Sequence, residues 1–133
     1  MEATVEGAAA RPTLETLTLC FAVSRDEEHV ELFLIDGERR FELGSRAHHY
    51  LLLTLARARL HDADSEENEA ERGWLYADDL ARDLALDLTQ LNLHVYRARQ
   101  QLARAGILNA GRLVERRAGS RQLRLGPDKL QIA

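Results

Sequence analysis

The chain has one cysteine, two prolines and one methionine in 133 residues, and aromatics make up only 5% of it. A lone cysteine cannot close an internal disulfide. Cys20 stands in an apolar run and reads as a small core residue, not a redox or metal group. No run of about 18 apolar residues is present, which excludes a membrane-spanning helix. The opening stretch MEATVEGAAARPT has no apolar h-region and carries an acid at Glu2, so it is not a secretory signal. Glycine-rich phosphate loops, zinc-ligand spacings and nucleophile elbows are also missing. Adjacent Asp78 and Asp79 fit the role of helix-dipole partners better than that of an acid–base pair. These absences predict a non-enzymatic cytoplasmic protein with no cofactor, no metal and no membrane partner.

What is there is 45% hydrophobic, enough for one compact domain with a core. Its charge is unevenly placed. Residues 1–88 hold 20 acids against 9 arginines, a net −11. Residues 89–133 hold 2 acids against 8 arginines and Lys129, a net +7. A basic end on an acidic body points to a surface that meets a polyanion, although chance clustering gives the same tally. The overall acidity predicts modest DNA affinity without a partner or a dimer.

Residues 1–13 are small and polar without periodicity and read as a flexible tail. Alternation of Leu17, Leu19, Phe21 and Val23 predicts a first strand, and Val30, Leu32 and Leu34 a second. Asp36-Gly37 predicts a hairpin into a short third strand from Arg40 to Leu43, giving a small antiparallel sheet. Ser45 is the expected N-cap of a helix over residues 45–61, apolar nearly all round and therefore buried. His48, His49 and His61 lie in or beside it and read as structural, since no further ligand cluster accompanies them. Residues 62–72 carry six acids, lack the glycine and ligand spacing of a calcium loop, and read as a solvated linker. Trp74 anchors a short strand. Ala77 to Leu86 predicts a second helix with Leu80, Ala81 and Leu84 inward.

The stretch LTQLNLHVYRARQQLARAG, residues 88–106, organises the remainder. Leu91, Val95, Ala98 and Leu102 form one apolar stripe. Thr89, Leu93, Tyr96, Arg97, Gln100 and Arg104 lie opposite, flanked by Gln90, Asn92, His94 and Arg99. Asp87 and Gln90 have capping-pair spacing, and Gly106 is a natural stop. Such a polar face can reach base edges and phosphates, or it can simply be solvated. Arg112 to Arg117 and Arg121 to Leu125 then predict a β-hairpin with Leu123 and Leu125 facing the body. Arg116, Arg117 and Arg121 crowd its tip, and a cluster of like charge calls for a counter-anion such as a phosphate backbone. Residues from Pro127 onward read as a tail.

Sheet, buried helix, two helices joined tightly and a basic hairpin together resemble the OmpR/PhoB-type winged-helix effector domain of bacterial response regulators. That family carries a run of the form V-D-V-H-I-x-R-L-R-x-K-L, and LNLHVYRARQQL stands in its place. Leu91, Leu93, Val95 and Leu102 match its apolar positions; His94, Arg97 and Arg99 match its polar ones. LVERRAGSRQLRLG matches the wing in outline, without the family's Gly-x-Gly-Tyr, and the loop that touches RNA polymerase in the family is nearly absent at residues 86–89. No receiver domain fits in 133 residues. The helix and hairpin are also similar to winged-helix segments attached to some bacterial FHA proteins.

The resemblance implies an α+β fold, a winged helix-turn-helix with an N-terminal antiparallel sheet, three helices and a C-terminal wing, over residues 14–126 between tails 1–13 and 127–133. It implies a transcription-regulating module on double-stranded DNA, with residues 88–104 in the major groove and residues 112–125 as the wing. Leu93, Tyr96, Arg97 and Gln100 would meet the groove, with Gln90 beside them. His94, Arg99 and Arg104 would hold phosphates, and Arg116, Arg117 and Arg121 would be the wing arginines. Useful specificity then requires a homodimer on repeated half-sites or a second DNA-binding or signalling protein. The alternative is a protein-interaction adaptor in bacterial signalling that keeps the fold, since Leu93 and Tyr96 share a face with Arg97.

Overall fold

The structure, a computed structural model, describes residues 11–65 and 68–133. It is an α+β arrangement of three α-helices and two sheets. Strands β1 (Thr18–Val23), β2 (Val30–Asp36) and β3 (Arg39–Ser45) form an antiparallel meander, as their alternation predicts. Val30, Leu32 and Leu34 of β2 are buried while Glu31 is exposed. Cys20 is buried in β1, alongside Leu19 and Phe21.

Helix α1 (His49–Asp62) follows, buried along most of its length, then the short strand β4 (Leu75–Tyr76). Helix α2 (Ala77–Asp83) and helix α3 (Leu88–Arg104) are joined by four residues, with Ala85 at φ 57° in the turn. Strands β5 (Val114–Arg116) and β6 (Gln122–Leu125) make the hairpin, and β4 adds to β6 as a third strand. One core is shared by both sheets and all three helices, with Phe21, Leu52, Leu80, Leu91, Leu102 and Leu123 among its side chains. The stripe Leu91, Val95, Ala98 and Leu102 faces it, as periodicity predicts.

Four expectations are corrected. Ser45 does not cap α1: it still pairs with Glu31 in β3, and the chain reaches His49 through a turn. A bulge on β3 makes this extra length, four residues (Glu42 to Ser45) lying opposite three on β2 (Glu31 to Phe33), with Gly44 at φ 68° absorbing the kink. The segment after Pro127 is not a tail, because Leu130–Ile132 forms β7, parallel to β1 at the edge of the first sheet. Arg11, Pro12 and Thr13 are held as well: Leu108 N–H donates to the Pro12 carbonyl at 2.8 Å, and Arg11 Nε to the Gly106 carbonyl at 3.3 Å. The remainder of the 1–13 tail lies outside the described residues. Finally, the acidic segment 62–72 does more than stay solvated. Asp62 accepts from the Gly73 N–H at 2.8 Å, Glu69 pairs with the buried Arg59, and Glu71 pairs with Arg117 at 2.5 Å. Glu66 and Glu67 lie outside the described residues.

Candidate functional site

Helix α3 starts on a complete capping box. Gln90 N–H donates to Asp87 Oδ1 at 2.7 Å, and Asp87 N–H donates to Gln90 Oε1 at 2.9 Å. Gln90, expected at the DNA, therefore has its carbonyl committed to the cap. Further along, the helix divides into three polar faces.

The outward face carries Leu93 and Tyr96, 41% and 58% exposed, with Arg97 beside them. Gln100 Nε2 donates to the Tyr96 hydroxyl at 3.2 Å. Arg97 and Arg104 make no hydrogen bond or ion pair with any described residue.

The second face turns to the hairpin. Arg99 Nη2 donates to the Val114 carbonyl at 2.6 Å and its Nε is buried without a partner, so Arg99 ties α3 to β5 and is not presented outward. Burial, with Arg116 nearby, lowers its guanidinium from the usual value. Arg116 Nη2 donates to Asn92 Oδ1 at 2.8 Å.

The counter-anion expected for the hairpin arginines is internal. Arg117 reaches both carboxylate oxygens of Glu71, at 2.7 and 2.5 Å, and lies 5.3 Å from the centre of the Trp74 ring. Its hydrogen bonds hold the Glu71 carboxyl below the usual range. Arg121 pairs with Asp78 at 3.1 Å. Arg124 lies over Trp74 and donates to Glu115 at 2.7 Å. Segment 62–72 and the first turn of α2 thus neutralise a cluster that repulsion alone would splay.

The third face looks toward the β3–α1 connection and frames an open pocket of about 470 Å³. Arg46, Ala47 and His48 line it on one side; His94, Arg97, Gln100, Gln101 and Arg104 line it from α3, and no carboxylate does. Its floor is a polar knot. Gln101 Nε2 donates to the Leu43 carbonyl at 2.8 Å, which fixes the amide so that Oε1 faces the histidines. The Nε2 atoms of His48 and His49 then both donate to that oxygen, at 2.7 and 2.8 Å. His49 Nδ1 lies 3.0 Å from the Val30 carbonyl oxygen and 3.3 Å from the Arg46 amide nitrogen. Burial, the largest cause in each case, lowers the pKa of His48, His49 and His94.

Of the residues expected at the site, the structure gathers His94, Arg97, Gln100 and Arg104 around this pocket, with Leu93 and Tyr96 on the adjoining exposed face. It sets Arg99, Arg116, Arg117 and Arg121 on or against the hairpin. Arg46 was not legible as a site residue: more than forty positions separate it from the start of α3, and nothing in its local sequence marks it. Among the described residues no helix is long and apolar enough to cross a membrane. No known protein-family model, curated protein or solved structure matches the chain.

Proposed function

We propose that the chain is a winged-helix DNA-binding module of a transcription regulator, with α3 entering the major groove and the β5–β6 hairpin as its wing. The observation that carries this reading is the state of the arginines. Most in the basic half are bonded to acids or carbonyls of the protein, whereas Arg97 and Arg104 are left unpartnered on one helix face with Gln100 between them. A rigid helix holding two unsatisfied guanidinium groups and an amide has the donors that base edges and phosphates accept. Arg97 and Gln100 read bases. Arg104 fixes register on the backbone, and the hairpin approaches a neighbouring stretch with Arg116, whose described side-chain partner is the neutral Asn92 and not an acid. A single domain reads few base pairs, so a second copy or another DNA-binding protein completes the site.

The test is binding of fluorescent duplexes of random sequence at low and physiological salt, followed by selection of preferred sites. The wild type is expected to bind with steep salt dependence. Arg97→Ala is expected to keep the fold, shown by an unchanged circular dichroism spectrum, and to lose preference among sequences. Equal loss on selected and random duplex would count against base reading by Arg97.

The exposure of Leu93 and Tyr96 favours a second reading, an adaptor whose α3 face docks on a protein. An interface centred on those two side chains has a shallow salt slope, and Tyr96→Ala would then weaken it more than Arg97→Ala does.

A further inference from the structure

We infer that the pocket between the β3–α1 connection and α3 seats one phosphate of a DNA backbone, and that Arg46 is the residue that clamps it. The inference rests on the DNA-binding reading and adds to it a contact from outside the recognition helix.

Three guanidinium groups, Arg46, Arg97 and Arg104, border the pocket, and none of them forms an ion pair with a described residue. Arg46 makes one side-chain hydrogen bond, Nη1 to the neighbouring Ser45 carbonyl at 3.0 Å, which leaves most of its donors unused. Positive charge gathered in one place without a carboxylate is unfavourable unless an anion enters. The floor cannot supply that anion: Gln101 Oε1 already accepts from the Nε2 atoms of His48 and His49. The same knot makes the floor rigid. Gln101 bridges the Leu43 carbonyl to His48 and His49, so the start of α1 and the last turn of α3 are held at a fixed spacing. The N-terminal end of α1, fourteen residues long, adds its positive dipole end on the same side.

A phosphate suits such a pocket better than a carboxylate because its oxygens can take donors from several directions at once. A polymer backbone suits it better than a compact ligand. The pocket is open, and it runs into the exposed Tyr96–Arg97–Gln100 surface where the proposed reading places the duplex. One phosphate held by Arg46 on one side and by α3 on the other would set how far α3 can slide along the groove.

The experiment compares wild type, Arg46→Ala, Arg46→Lys and, as a control, Arg25→Ala in the β1–β2 turn, on random-sequence duplex across a salt series. Arg46→Ala is expected to weaken binding about tenfold on every sequence and to reduce the log–log salt slope by about 1. Arg46→Lys should recover the slope and part of the affinity, and Arg25→Ala should match the wild type. Imidazole proton signals of His48 and His94 should shift when duplex is added to wild type. Wild-type affinity and slope in Arg46→Ala would overturn the pocket assignment while leaving α3 as the DNA-binding element. No duplex binding by the wild type at low salt would overturn both, and His94 shifts caused by a phosphopeptide in that case would assign the pocket to a protein ligand.

Discussion

One glycine and a pair of histidines show how much of the fold rests on single positions. A methyl group at Gly126 would lie 2.0 Å from the Arg112 carbonyl oxygen, because the chain leaving β6 crosses the turn before β5 in direct backbone contact. Gly126→Ala is therefore expected to lower stability by about 2 kcal/mol or more, read from urea unfolding. No sequence pattern announces this crossing. His48 and His49 behave oppositely to surface histidines. Their folded pKa values lie below the ordinary 6.5, so the unfolded chain binds more protons in the window beneath that value. Stability is full above about pH 6.5 and falls as pH drops through the lowered folded values. The groups facing the pair are Arg46, His94 and Gln101, with no acid among them to offset a new charge. Melting temperature is expected to fall between about pH 7 and pH 5, above the range where carboxylates titrate, and His48→Gln/His49→Gln is expected to flatten that dependence.

Among the elements, α3 was legible in sequence because everything that defines it is local: a cap at Asp87, an apolar stripe at helical spacing and a glycine stop. Asp87→Ala removes one half of the capping box and is expected to cost about 1 kcal/mol of stability, measured by thermal or urea unfolding. The corresponding signal at Ser45 misled, since a serine before an apolar helix reads as a cap even where a bulge lengthens the preceding strand. Strand β7 was illegible for another reason. Three residues after a proline show no usable alternation, and the partner that makes them a strand lies at the other end of the chain. Arg59 belongs to this class as well. Inside the apolar helix α1 it is buried, donates to the Leu125 carbonyl at 2.9 Å and pairs with Glu69, partners that only the tertiary fold supplies. Arg59→Ala is expected to cost about 2 kcal/mol through the lost stem packing and the stranded carbonyl. The outward face of α3 could be read from sequence; the side of the pocket supplied by Arg46 could not, because tertiary folding alone brings it there.

For the molecule as a whole, the charge asymmetry of the sequence takes on a different sense. The acidic first part and the basic last part do not simply face opposite directions. Glu71 and Asp78 fold over the hairpin and occupy Arg117 and Arg121, which leaves α3 and Arg46 as the exposed cationic ground. Glu71→Gln/Asp78→Asn is expected to raise affinity for random duplex severalfold at low salt, if the hairpin then turns its charge outward. A fluorescence titration beside the wild type checks this, and unchanged affinity would mean that the hairpin stays off the DNA. The parallel pairing of β1 with β7 reaches further, into the order in which the protein is made. Cys20 meets Gln131, 111 positions later, so the outer edge of β1 stays open until residues 130–132 have been made. Until then that edge is available to any other extended chain nearby, and slow translation between the two strands prolongs the exposure. A three-residue strand thus sets how long the nascent meander is at risk of aggregation.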